Sequence, residues 1–296
     1  MAATRSVSRW QIILLGAMIA LYVLGRICQQ YPGTVPVLLI VVLQVVPPAV
    51  FALLHGSMVY RIRGMLAFAL FCSGAAVFCE SLSLRTGFPF GRYFFTGLMG
   101  PKILDLPVLL VMAYIGIGYC SWVLALLILG YSDKPLSGSR VVALPLLASS
   151  IMVAWDLSMD SIWSSLDHGW VWLNGGSYFG VPISNFLGWY LTAFLFYQAF
   201  ALYLSANPDA TRDIAPGLLR APVVVYAICA LGNLLVFRKG LFPPTAIDAT
   251  GKVWLTGDIL TASVLVSLLV MTPFAALAWW RSGSPGLSSE AASKSA

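Results

Sequence analysis

The sequence predicts an all-α fold, a polytopic transmembrane helical bundle of about eight spans, and three observations predict it. Of its 296 residues 59% are hydrophobic and only 9% are charged, and the mean hydropathy is +0.88, which places the chain among multi-pass membrane proteins. Apolar runs of roughly 20 residues, long enough to cross a bilayer, recur along the whole chain. The formal charge of +6 comes from Lys and Arg scattered through the connections. That is the pattern of membrane orientation, and it argues for the lipid bilayer and against nucleic acid as a partner.

The runs are read in order. The first spans Trp10 to Ile27; Arg5 and Arg9 before it resemble a signal peptide, but no small-residue cleavage site leads into a soluble domain, so it is read as a membrane helix. The second covers Val35 to Leu54, with Pro47-Pro48 forcing a kink or break. The third covers Met65 to Leu84. The connection from Arg85 to Asp105 is broken by Gly and Pro and is expected to lie in the interface or fold back into the protein. The fourth span runs from Leu106 to Leu129 and ends at Tyr131-Ser132-Asp133-Lys134-Pro135. The fifth starts near Val141, with Pro145 in its first turns, and reaches Asp156 and beyond. The sixth covers Ile183 to Leu204. Pro222 opens the seventh, Ala221 to Phe237, and Thr256 is the expected N-cap of the eighth, Ile259 to Trp280.

Residues 1–281 are expected to form one membrane-embedded domain and residues 282–296 a disordered tail, since the tail has nothing apolar enough to order it. Counting basic residues in the connections puts both termini on the cytoplasmic side. Five dispersed cysteines without a Cys-x-x-Cys pair read as small apolar packers. His55 and His168 have no partner at ligand spacing, so no metal site is expected. There is no Gly-x-Ser-x-Gly elbow, phosphate loop or dinucleotide fingerprint, and no seat for a redox cofactor.

Asp156 and Asp160, four apart near the end of an apolar run, project from one helical face. A carboxylate at membrane depth costs about 2.5 to 3.5 kcal/mol, so such acids are functional-site candidates facing a cavity or a partner. On the eight-span topology Glu80 reaches the same membrane face. Arg85, Arg92 and Tyr93 lie in the adjoining connection, where an arginine is expected to pair with one of the acids. Trp155, Trp163, Trp170 and Trp172 surround the pair in sequence, and Asn185 is a polar group in an apolar window that can bond an acid or join helices. Asp167, His168, Asn174, Tyr178 and Asp258 are weaker candidates that loop solvation explains.

Glu80, Gly87-Phe88-Pro89-Phe90-Gly91-Arg92-Tyr93, Asp156-Leu157-Ser158-Met159-Asp160, Trp170-x-Trp172, Gly176-Ser177-Tyr178-Phe179-Gly180-Val181-Pro182 and Asn185-Phe186-x-Gly188-Trp189 together resemble the integral-membrane carotenoid hydratases, among them the carotenoid 1',2'-hydratases and bisanhydrobacterioruberin hydratases. The match covers Glu80 to Trp189. One departure is Ser161, where the family pattern leads one to expect Pro after the second Asp.

The resemblance implies a membrane enzyme of carotenoid biosynthesis, in a bacterial cell membrane, that takes an acyclic carotenoid and water and needs no cofactor. Other enzymes of the pathway are expected beside it. Hydrating a terminal trisubstituted alkene means protonating the less substituted carbon, passing through a tertiary carbocation and capturing water. The acid must still carry its proton near neutral pH, which burial away from water favours. The resemblance assigns that role to Asp156 or Asp160, with the other and Glu80 as base or stabiliser. Tyr93, Arg92, Trp155, Trp163, Tyr178, Asn185 and Trp189 are then the substrate-binding set, the aromatic faces stabilising the cation by about 0.5 to 2 kcal/mol each. Three rivals stay open: a carotene cyclase, a magnesium-dependent membrane prenyltransferase, and a non-catalytic carotenoid- or lipid-binding protein.

Overall fold

Residues 8–130, 136–212, 216–237 and 240–283 are described in the computed structural model. The turn at 131–135 and tail residues 284–296 lie outside them, as do Arg5, Lys134, Arg238, Lys239 and Lys294 from the charge count. Eight helices are long and apolar enough to cross a membrane: α1 (Arg9–Cys28), α2 (Val37–Val59), α3 (Arg61–Thr86), α4 (Val108–Ile128), α5 (Arg140–Ser165), α6 (Ile183–Ala206), α7 (Pro216–Val236) and a last span, Thr256–Gly283. The last span is built from α8 (Thr256–Val266), a π-helical turn (Ser267–Met271) and α9 (Thr272–Gly283).

Local chemistry sets the ends. Ser8 and Gln11 form a reciprocal capping box that starts α1. Gly87, with φ of 85°, closes α3 in the left-handed conformation. Prolines at the N-cap positions of α2, α4 and α6 (Pro36, Pro107 and Pro182) pre-set an extended approach to each helix. Elsewhere the expected boundaries shift. Pro47 and Pro48 do not break α2, which is one helix through both; the pair is buried, with Pro48 packed where Gly116 opens α4. Pro222 lies inside α7 rather than opening it. Thr256 is the first residue of α8, not its cap, and its amide donates to the Pro244 carbonyl. Leu106 belongs to a strand before α4, and Ser282, assigned to the tail, is still helical.

Helix α4 is the centre of the bundle, with 72% of its most apolar window buried, whereas only 22% of that of α1 is buried and the rest is left at the surface of the bundle. A helix apolar all round is what such a central position requires. The outer faces carry exposed Leu66, Leu70, Leu187 and Leu269, the surface expected of a protein solvated by acyl chains.

Because the chain alternates direction, one end of the bundle collects the long connections after α3, α5 and α7. These hold three small antiparallel sheets: β1 (Tyr93–Phe95) with β4 (Trp170–Trp172), β2 (Lys102–Ile103) with β3 (Leu106–Pro107), and β5 (Thr245–Ile247) with β6 (Val253–Leu255). In the first, Tyr93 faces Trp172 and Phe95 faces Trp170. The two-residue period turns these four rings into the protein while Phe94 stays exposed. The broken connection after α3 thus folds back as an aromatic cap.

Candidate functional site

Beneath that cap the bundle encloses three acids. Glu80 sits in the last turns of α3, Asp156 and Asp160 in the second half of α5, and all three are buried. Four residues make just over one helical turn, so both aspartates face α6. There the Asn185 amide nitrogen donates to Oδ2 of both, 2.9 Å to Asp156 and 2.5 Å to Asp160. Asn185 is held one turn into α6 by the Pro182 start.

The partners differ from one acid to the next. Asp160 also accepts at Oδ1 from the indole N–H groups of Trp170, at 3.0 Å, and Trp172, at 3.2 Å. Glu80 accepts two phenols, Tyr93 on one oxygen and Tyr114, at 2.8 Å, on the other. Asp156 has only Asn185, and its buried Oδ1 has no protein partner. The two halves meet where the Tyr93 and Trp172 rings pack at 4.7 Å. A further stack runs from Tyr114 to Trp189, 4.3 Å apart and nearly parallel, and on to Trp155 at 5.6 Å edge-on.

Next to this cluster lies a partly open, mainly apolar cavity, bounded by Trp155, Met159, Trp163 and Trp170 on one side and by Arg26 and Gln44 on the other. A second, also partly open, cavity shares Met159, Trp163, Arg26, Gln44 and Asn233 and continues to Asp167 and Phe242. Sharing these five residues, the two cavities adjoin one another and are called the slot. None of the three acids lines it. The Trp170 indole touches both, since it bounds the cavity and bonds Asp160, and Trp155 bounds it while packing on Trp189. Positions 155, 159 and 163 turn one face of α5 to the slot, and the acids occupy the adjacent face.

The expected arginine pairing does not occur. Arg85 and Arg92 are exposed, and Arg92 takes part through its backbone carbonyl, which accepts from the Leu173 amide. Phenols and indoles take the place of the guanidinium because the strand period turns Tyr93 inward and its neighbour Arg92 outward. Tyr178 also stands off from the acids; its hydroxyl donates to the Leu157 carbonyl and its ring meets Phe186 edge-on. Burial and the neighbouring acids push that phenol up to about 12. Trp163 stacks on Trp170. Ser161, at the departure from the family pattern, is buried within unbroken α5.

Two further glycines of the motifs have a steric role. A Cβ on Gly188 would fall 2.6 Å from the Phe90 ring and 3.0 Å from the Pro89 backbone, so α6 needs glycine to let the connection after α3 lie against it. A Cβ on Gly176 would fall 2.0 Å from the Val181 carbonyl carbon. Sequence reading missed Tyr114, whose signal is only a phenol inside an apolar span, and it did not single out Arg26. Among the described residues no three His, Cys, Asp or Glu side chains converge on a point where a metal could bind.

Comparison with curated proteins and with solved structures finds no match. A family model described as "carotenoid biosynthesis protein" matches residues 34–253, a stretch that holds every acid, ring and hairpin of the site except β6 and the helices at either end. The chain belongs to the carotenoid biosynthesis protein family.

Proposed function

We propose that this protein adds water across the terminal C=C of an acyclic carotenoid to give a tertiary alcohol. One observation carries the reading: three enclosed carboxyl groups lie beside an aromatic, apolar slot, and they differ in how many donors each receives. Three donors reach Asp160 and two reach Glu80, which suits ionised groups that only accept. Asp156 receives one and keeps an oxygen free of protein partners, which suits a carboxylic acid with a hydrogen to give.

In this scheme the Asp156 O–H bond breaks as its proton joins the less substituted alkene carbon. The π electrons form the new C–H bond, and a tertiary cation remains on the neighbouring carbon. The faces of Trp155, Trp189 and Trp170 offer it negative potential without a nucleophile that would trap it. Asp160 and Glu80 add their charge in a site buried away from bulk water, where such charge acts strongly. Water then attacks the cation, its surplus proton passes to one of these carboxylates, and transfer back to Asp156 restores the start. No electrons are gained or lost. Since Trp155 and Trp170 stand at the boundary of slot and acids, the scheme requires one of these rings to move for the alkene end to reach Asp156.

The test is expression in a host that accumulates acyclic carotenoid hydrocarbons, with pigment mass spectrometry. A product heavier by one water for each reacted end supports the reading. Pigment of unchanged mass but altered retention would point to cyclisation, in which a second double bond captures the same cation. Unaltered pigment with well-expressed protein would overturn the hydratase assignment.

A further inference from the structure

The slot has a polar wall that the hydration scheme does not use. Arg26, near the end of α1, is buried. Its Nη1 donates to Gln44 Oε1 at 2.9 Å, and its Nη2 donates to Asn233 Oδ1 at 2.6 Å and to the Cys229 carbonyl at 3.4 Å. Every one of these partners is neutral. Gln44 is fixed in turn by donating to Gln29 Oε1, and Asn233 by donating to Ser158 Oγ and to Ser267 Oγ in the π-helical turn. Gly232 makes room for the guanidinium: a Cβ there would fall 2.0 Å from Arg26 Nε. A cation buried inside the bundle with only neutral acceptors, in a berth cut for it, is costly. Arg26, Gln44 and Asn233 all border both cavities.

The donor count limits what the wall can hold. A guanidinium grips a carboxylate or phosphate with two parallel N–H groups, and either such edge includes Nη2, whose two hydrogens are already engaged. Nε is closed off over Gly232. What remains is one hydrogen on Arg26 Nη1 and one on the Gln44 amide, enough for a single oxygen atom.

We propose that Arg26 and Gln44 form a binding site for one neutral oxygen of an otherwise apolar polyene, the hydroxyl of a terminal tertiary alcohol. The single oxygen follows from the donor count; the polyene end and its tertiary alcohol rest on the hydratase reading. In that setting the wall holds the hydroxylated end in preference to the hydrocarbon end, and so governs how the alcohol is retained or released.

The experiment is equilibrium binding to detergent-purified full-length protein of two probes, an acyclic polyene hydrocarbon and the same polyene with one terminal tertiary alcohol. Binding is followed by quenching of tryptophan emission, and the recovered pigment is checked by mass. The alcohol should bind about tenfold tighter in the wild type, the scale of one hydrogen bond to a charged donor. Arg26→Met should abolish that preference. Gln44→Met, which leaves Arg26 in place, should reduce it and serves if Arg26→Met does not fold. Equal affinities in the wild type, a preference that survives both substitutions, or no binding of either probe would each overturn the proposal; in the first case the wall holds water only. Hydration is read from product mass and oxygen selectivity from the two Kd values, so either reading can fail alone.

Discussion

Asp156→Asn separates chemistry from packing at this site. The side chain has one protein hydrogen bond, from Asn185, and an oxygen with none. Asparagine has the same shape, keeps a carbonyl oxygen for Asn185 to reach, and puts its amide where no donor has to be displaced. The stability loss should therefore stay within about 1 kcal/mol, the net worth of a single hydrogen bond. The amide cannot release a proton, so the general-acid contribution, about 10²- to 10⁴-fold, is lost. That is about 2.7 to 5.5 kcal/mol of barrier. The assay pairs thermal unfolding of the purified variant in detergent with its rate of conversion of an acyclic carotenoid. Near-wild-type unfolding with a rate down at least a hundredfold is the expected result. A rate within a few-fold of wild type would refute the assignment of Asp156, and parallel collapse of stability and rate would show that the acid serves the fold.

Four other substitutions test the remaining structure. Asp160→Asn turns a donor toward one or more of the three donors now on Asp160, so it should unfold more readily than Asp156→Asn by about 1 to 3 kcal/mol for each bond lost, read from the same melts. Tyr114→Phe removes one of the two phenols on Glu80 but keeps the ring on Trp189; the rate should fall about tenfold with stability lowered by about 1 kcal/mol. Gly188→Ala drives a methyl into Phe90 and the Pro89 backbone and should cost about 1 to 3 kcal/mol of stability. Asp167 lies beyond α5 at the second cavity, and burial pushes its carboxyl up to about 7. Unfolded, it titrates near about 3.9. Between those values the folded chain keeps a proton that the unfolded chain has released, so stability is greatest below the lower value and declines as pH rises to the upper one. Asp167→Asn should flatten that decline in melts taken across the range.

Much of the fold was legible in the sequence because lipid enforces it. A run that must satisfy its backbone inside a bilayer is a helix, and apolar length alone located the eight spans to within a few residues at most ends. The misjudged points depend on neighbours. Pro47 and Pro48 would break an isolated helix, but here they are packed inside the bundle. Pro222 is a helix opener by propensity, yet α7 begins before it. At the site, the four-residue spacing was enough to put Asp156 and Asp160 on one face, and the alternation of the spans was enough to bring Glu80 to the same end. Nothing in the spacing told the acids apart. Their difference lies in donors from β1, β4, α4 and α6, and it depends on a pairing of Tyr93 with Trp172 that no local pattern encodes. The same reason hid Arg26, whose partners come from α2 and α7.

The most direct test follows the atoms of water. Purified protein would convert an acyclic carotenoid hydrocarbon in heavy water that also carries heavy oxygen, and the product would be read by mass spectrometry and NMR. Hydration predicts one heavy oxygen on the tertiary carbon and one deuterium on the carbon beside it for each reacted end, with both absent in Asp156→Asn. A product with deuterium but no added oxygen, or one that has gained or lost a pair of hydrogens, would contradict the account.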